Sequence, residues 1–382
     1  MAMGLLKGVR IIAVEQYAAG PYGSLLLAEL GAEVIKIEAP SLMGDFSRKV
    51  GPYFLGDEDS LFFQTFCRSK KSVALELKSD AGRASFEELV KSADAVVNNL
   101  RGNQPAKLRL TYDTLKNVNS AIVCAHLSAY GRDNERASWP GYDYLMQAEA
   151  GFLSVTGEPD GPPTRFGLSM IDYMAGTQMA LGCVSAVLNA KQTGLGCDVD
   201  VSLFDTAVHQ LTYPAVWALN GGEAIGRQPR GAHPSLVPSQ LVTTKDGWGF
   251  LMCQTDKFWA TLCEELGRQD LISDVRFETM DQRRDNRDEL TPILDSEFQK
   301  FSASEWVLRF AGKIPFAPVN DLETALENPF VHDIGLVDEV DHPDAKNGRL
   351  RVLASPIKVN GKRPSGRRAP SLGEHTIKYL KT

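Results

Sequence analysis

The chain has 382 residues, 43% hydrophobic and 23% charged, with 41 Lys+Arg against 48 Asp+Glu for a net charge of −7. That composition excludes disorder, collagen and coiled coil, leaves room for two domains or one large one, and offers nucleic acid no basic field. The charge is uneven: residues 256–341 carry 20 acids and 9 bases, whereas 345–382 carry 10 bases and one acid, Glu374.

The opening residues 1–12 are broken by Lys7 and Arg10 and fit neither a signal nor a transit peptide. A β-branched run at 9–14, a turn at 17–22, a helical pattern at 23–30 stopped by Gly31, and a strand at 33–37 together predict one βαβ unit. The rhythm continues with strands at 72–77, 95–98 and 121–127 and a helix at 80–92. Strands alternating with helices predict a parallel sheet covered on both faces, with ligands at the carboxyl ends of its strands. A helix follows at 171–191; its stretch 173–190 is free of charge but too short and polar to prefer lipid, so it reads as a buried helix and no membrane partner is expected. A strand is expected at 198–202, and the Gly/Pro-dense stretch 220–238 reads as a linker. Beyond it lie a strand at 247–253, helices at 258–266, 284–301 and from 304, and short extended segments at 314–319 and 350–352. The six cysteines show no CxxC and read as free thiols of a reducing cytoplasm.

Several chemistries lack their motifs. No GxGxxG follows the first strand, and there is no GxxxxGK[ST], HExxH or GxSxG, nor any pair of histidines at metal-ligand spacing. One carboxylate stands out: Asp172, in Leu168-Ser-Met-Ile-Asp-Tyr-Met-Ala-Gly, where a Gly/Pro-rich loop meets a nearly uncharged helix. An acid there can be a plain helix cap. It can also be a nucleophile that holds an activated acyl group as an anhydride. Position in sequence does not choose between these.

An ordered set of motifs does. Gly20-Pro21, the run 30–38 (LGAEVIKIE), Gly44-Asp45 with Arg48, Lys70-Lys71-Ser72-Val73, the run 160–163 (DGPP), Asp172 and Thr193-Gly194 are followed by Phe258-Trp259, Arg276-Phe277, Glu305-Trp306, 314–319 (IPFAPV) and 372–376 (LGEHT). The chain resembles the family III CoA-transferases, the superfamily that also holds α-methylacyl-CoA racemase, over nearly its whole length. The resemblance implies an α/β fold with a Rossmann-like parallel-sheet large domain, a smaller α/β domain, and two subunits interlocked as linked rings in a homodimer. It places 1–222 in the large domain and 223–330 in the small one with its linker, and returns 331–382 to the large domain. It implies that Asp172 attacks a donor acyl-CoA to give a mixed anhydride and CoA thiolate. The thiolate then forms an enzyme–CoA thioester, from which an acceptor carboxylic acid leaves as the new acyl-CoA. Coenzyme A thus enters as substrate, and no permanently bound cofactor or metal is implied.

Racemases of the superfamily carry a Gly-His-Asp run where this chain has Gly141-Tyr142-Asp143, and tyrosine is a poor base at neutral pH. Transfer is therefore preferred; racemisation, or CoA binding without turnover, is the alternative. His126, on an apolar run, reads as a core histidine. By the same resemblance Ala18 and Ala19 meet the thioester end of CoA, and Lys78, Asn99, Leu100, Arg101, Lys107 and Tyr142 line its cleft. Gln16 could replace a glutamine that some transferases carry at the position of Ala18. Two basic positions of the formyl-CoA branch are Ala39 and Pro140 here; Arg136 or Lys71 could supply charge instead. That branch's run of glycines is missing from 231–240, which disfavours oxalate. Arg227, Arg230 and His233 could clamp the second carboxylate of a dicarboxylic acid, although each alone also reads as a solvated linker residue. The basic tail is expected to pair within the chain or across the dimer.

Overall fold

The computed structural model describes residues 4–56 and 59–380. Residues 1–3, at the head of the stretch read against a targeting peptide, and 381–382, at the end of the basic tail, lie outside them.

The β-branched runs form six strands: β1 (Arg10–Val14), β2 (Glu33–Glu38), β3 (Lys71–Ala74), β4 (Ala95–Asn98), β5 (Val123–Ser128) and β6 (Asp198–Ser202). They pair in parallel in the order β3-β2-β1-β4-β5-β6. This is the doubly wound order, in which strand connections reverse between β1 and β4 and open a crevice at the strands' carboxyl ends. The central strands are buried on both faces, as parallel strands under helices must be.

Two helices set the site. The first, Ala19–Glu29, starts inside the stretch read as a turn, because Pro21 fits a first helical turn. The second is the long helix Met170–Thr193. They cross at two glycines: a Cβ on Gly23 would lie 2.4 Å from the Gly176 carbonyl oxygen, and one on Gly176 would lie 2.5 Å from that of Ala19. No other residue permits that approach. The long helix, at 24 residues with a mean hydropathy of 1.2 over its best window, is long and apolar enough to cross a membrane by those measures. This corrects the reading of the segment as too short and polar. Ile171, Ala175, Met179, Cys183 and Val187 are nevertheless buried within the protein.

The chain forms two units. One holds the residues up to Ala150, Gly167–Gln210 and those from Pro329 onward; the other holds Gly151–Phe166 and Leu211–Asn328. The lines thus fall differently from those drawn at 222 and 330, because 151–166 and 211–222 pack with the second unit. In that unit β7 (Ser239–Thr244), β8 (Gly247–Met252) and β9 (Phe316–Pro318) form an antiparallel sheet. Trp259, Phe277, Phe298, Trp306 and Phe310 fill the core beside it. The strand β7 was not legible, since Ser239-Gln240 follow directly on the Pro-rich stretch. The expected helix 284–301 is broken at Asn286 into Met280–Asp285 and Arg287–Phe298.

The returning segment adds a hairpin of β10 (Val337–Asp341) and β11 (Arg349–Leu353) to the first unit. It then covers the edge strand β3: the Ser72 hydroxyl accepts the Gly373 N–H (2.8 Å), and Thr376 Oγ1 accepts that of Ala74 (2.9 Å). The LGEHT motif is thus an edge cover. Two bases of the tail pair within the chain, Arg349 with Asp341 and Glu339, and Arg368 with Glu374 (2.9 Å).

Candidate active site

The glycine crossing brings the amino ends of the two helices together at the carboxyl edge of the sheet. There Asp172, in the first turn of the long helix, faces the turn that links β1 to the first helix. That turn is braced from both sides. Asn99, just past β4, donates from Nδ2 to the Gln16 carbonyl (2.7 Å) and accepts the Gln16 N–H (2.9 Å). The Tyr17 N–H reaches Asp45 Oδ1 at 3.1 Å.

Below the turn lies a buried ionic network. Lys36 Nζ pairs with Asp45 (2.8 Å) and donates to the Glu15 carbonyl (2.7 Å); Lys70 Nζ pairs with Glu15 (2.7 Å) and donates to the Pro21 carbonyl (2.9 Å). Arg48 pairs with Glu38 (2.7 Å), whose other contacts are the Ser72 hydroxyl and the Asp45 N–H. Burial works against the charge on Lys36, but Asp45 and its acidic neighbours overcome it and hold the ammonium protonated. Burial likewise opposes charge on Asp45, which Lys36 and the N–H groups of Ser47 and Tyr17 keep below the usual carboxylate range. Buried charges persist only when paired in this way. The motifs LGAEVIKIE, Gly44-Asp45 and Lys70-Lys71-Ser72 are this foundation, and none of their charged groups faces Asp172.

Asp172 is 7% exposed and Asp143 3%. The Asp143 carboxylate accepts the backbone N–H of Asp172 (2.9 Å) and a bond from Gln147 Nε2 (2.5 Å). Burial, and then the like charge of Asp143, push Asp172 up to about 7 from the ordinary aspartate value. Ser169, not Asp172, occupies the cap position. A poorly solvated carboxylate that still titrates near neutrality fits a reactive group better than a cap.

A cleft of about 460 Å³ gathers Ala18, Ala19, Asn99, Leu100, Arg101 and Tyr142 around Asp172. A second, of about 560 Å³, holds Lys78 and shares Gln16, Leu100 and Gln104 with the first. Lys107 ends the short helix Gln104–Lys107, is exposed, and lines neither. Arg136 is paired with Glu149, and Lys71 lies in β3; neither lines these clefts. His126 is buried in β5, hydrogen-bonded to Asn98 and Asp198 at 2.8 Å each. In the second unit Arg230 pairs with Asp295 (2.7 Å) and Arg227 donates to the Gly161 carbonyl. His233 Nδ1 accepts the N–H groups of Ser235 and Leu236, at 3.2 and 3.0 Å. All three are thereby engaged within their own unit.

Sequence reasoning missed Gln104, Tyr17 and Asp143 as site residues. Gln104 carried no signal. Asp143 stood next to Tyr142 and could have been found only as a second carboxylate in the same run.

The chain matches CoA-transferase family III over residues 6–376. It is 32% identical to succinyl-CoA:mesaconate CoA-transferase of Haloarcula hispanica, covering 99% of this chain and 96% of that protein. It is also 32% identical to succinyl-CoA:glutarate CoA-transferase of Homo sapiens, over 98% of this chain and 85% of that one. Among solved structures, a CAIB/BAIF family protein from Brucella suis superimposes with a TM-score of 0.84 at 28% identity, covering 99% of this chain and 98% of that one. With the doubly wound sheet, the crevice at its carboxyl edge and whole-length similarity to proteins named for CoA transfer, the chain belongs to CoA-transferase family III.

Proposed function

We propose that this enzyme transfers CoA between an acyl-CoA and a dicarboxylic acid with Asp172 as covalent nucleophile. The observation that carries the reading is the buried Asp172 carboxylate at the meeting of two helix amino ends, inside a cleft of about 460 Å³ that shares lining residues with a second of about 560 Å³. An Asp172 oxygen attacks the thioester carbonyl carbon, the C–S bond breaks, and CoA leaves as thiolate. The thiolate attacks the aspartyl carbonyl of the anhydride and expels the donor acid, leaving an aspartyl–CoA thioester. The acceptor carboxylate attacks that thioester, again releasing thiolate. Attack of the thiolate on the acceptor's acyl carbon gives the new acyl-CoA and frees Asp172. Helix amino ends favour the negative charge that develops. Ala18, Ala19, Asn99, Leu100, Arg101 and Tyr142 border the thioester end, and Lys78 the distal cleft; Lys107 could reach CoA only from the rim.

Succinyl-CoA as donor and a dicarboxylate as acceptor are supported by the names of the relatives. An interlocked homodimer fits the family resemblance and the exposed Leu181 and Leu188, seven residues apart on the long helix. A cytoplasmic setting fits six unpaired cysteines. The test is incubation with succinyl-CoA, trapping with hydroxylamine or borohydride, and mass analysis of the peptide holding Asp172. We expect a covalent adduct that Asp172→Ala abolishes. Binding without an adduct would refute the nucleophile, and solvent exchange of an α-proton without transfer would favour racemisation.

A further inference from the structure

Tyr17 is the one residue of the β1 turn that violates its own backbone preference. Its φ is +71°, a left-handed conformation that bulky side chains adopt at a cost and that clusters at functional sites. The turn pays for it with the Asp45 bond to its N–H, and the ring is fixed by Phe62 (centroids 4.9 Å) and Phe46 (6.4 Å). The ring lines the cleft of Asp172, and its hydroxyl has no hydrogen-bond partner among the described residues. Asn99 on the same wall has its amide committed at both ends to Gln16, and Ala18 and Ala19 bring no side-chain donor. A fixed, unpartnered phenol therefore stands beside the carboxylate where charge develops.

We propose that the Tyr17 phenol donates the hydrogen bond that stabilises the oxyanion formed when Asp172 attacks the thioester carbonyl. This inference rests on Asp172 being the nucleophile. The carbonyl oxygen takes up the electron pair of the C=O bond as the aspartyl C–O bond forms, and returns it when the C–S bond breaks. The phenol proton stays on Tyr17 throughout. Burial, and then the charge of Asp172, push the phenol above its ordinary value, so it is a donor and not a base across the neutral range.

Rapid-quench mass analysis with succinyl-CoA tests this. If the wild type forms no adduct on the Asp172 peptide, both the nucleophile and the donor fall. If it does, Tyr17→Phe, which keeps the ring packing, should form the adduct about 10–100-fold more slowly with KM for succinyl-CoA within about twofold. An unchanged rate of adduct formation overturns the role of Tyr17 alone. As a second variant, 3,5-difluorotyrosine at position 17 keeps the ring and lowers its pKa, and should move the alkaline limb of the kcat profile to lower pH. An unmoved limb overturns the inference.

Discussion

Replacing Asp172 by Asn tests the electrostatics of the site without any substrate. Asp172 titrates near 7 in the folded chain against an ordinary value of 3.8, mainly because of burial and then because of Asp143. Between those two values the folded state binds more protons at this site than the unfolded state, so stability falls as pH rises through that window. At roughly 1.4 kcal/mol per pKa unit, the ionised carboxylate costs about 4 kcal/mol above pH 7, an upper bound. Asn removes the cost. Asp172→Asn should therefore be the more stable protein by up to about 4 kcal/mol at pH 8, about 2 kcal/mol at pH 5, and under about 1 kcal/mol at pH 4. Urea unfolding at fixed protein concentration would measure it, followed by circular dichroism. Hydrogen exchange of the helix Met170–Thr193 would report on the sheet unit alone. A gain that does not grow with pH, or a loss at pH 8, would refute the reasoning.

The like charge of Asp143 is the smaller cause, so Asp143→Asn, which retains an acceptor for the Asp172 N–H, should move the acid limb of kcat/KM downward by about one pH unit. A limb that stays in place, or rises, contradicts the coupling. Gly176→Ala would put a Cβ 2.5 Å from the Ala19 carbonyl oxygen and must part the two helices. It should destabilise the chain by about 1–3 kcal/mol and slow adduct formation at Asp172; wild-type Tm and rate together would show that the crossing does not set the site.

How far the sequence spoke varied with the range of the physics involved. The βαβ rhythm was legible because a buried parallel strand favours a short run rich in β-branched residues, and 9–14, 33–37 and 95–98 supply one. The strand β7 was not, since its pairing with β8 comes from a hairpin closed by Lys245-Asp246 rather than from its own composition. The break at Asn286 escaped for a related reason: the amphipathic pattern runs through it while the backbone does not. Motif order exposed the family, yet most charged motif residues proved to be foundation and not site. Arg227, Arg230 and His233 had the right chemistry for a carboxylate, and the fold engages each of them elsewhere.

The net charge, the parallel α/β class and the singularity of Asp172 were determined by the sequence itself, because composition, strand pattern and a lone acid before a nearly uncharged helix are read along the chain, whereas the doubly wound strand order was decided by the fold. What the acid can do was decided by tertiary structure. Two helices approach at Gly23 and Gly176, Asp143 comes up behind the Asp172 N–H, and Tyr17 is held at a positive φ beside it. Burial and proximity shift a pKa, and neither exists until distant segments meet.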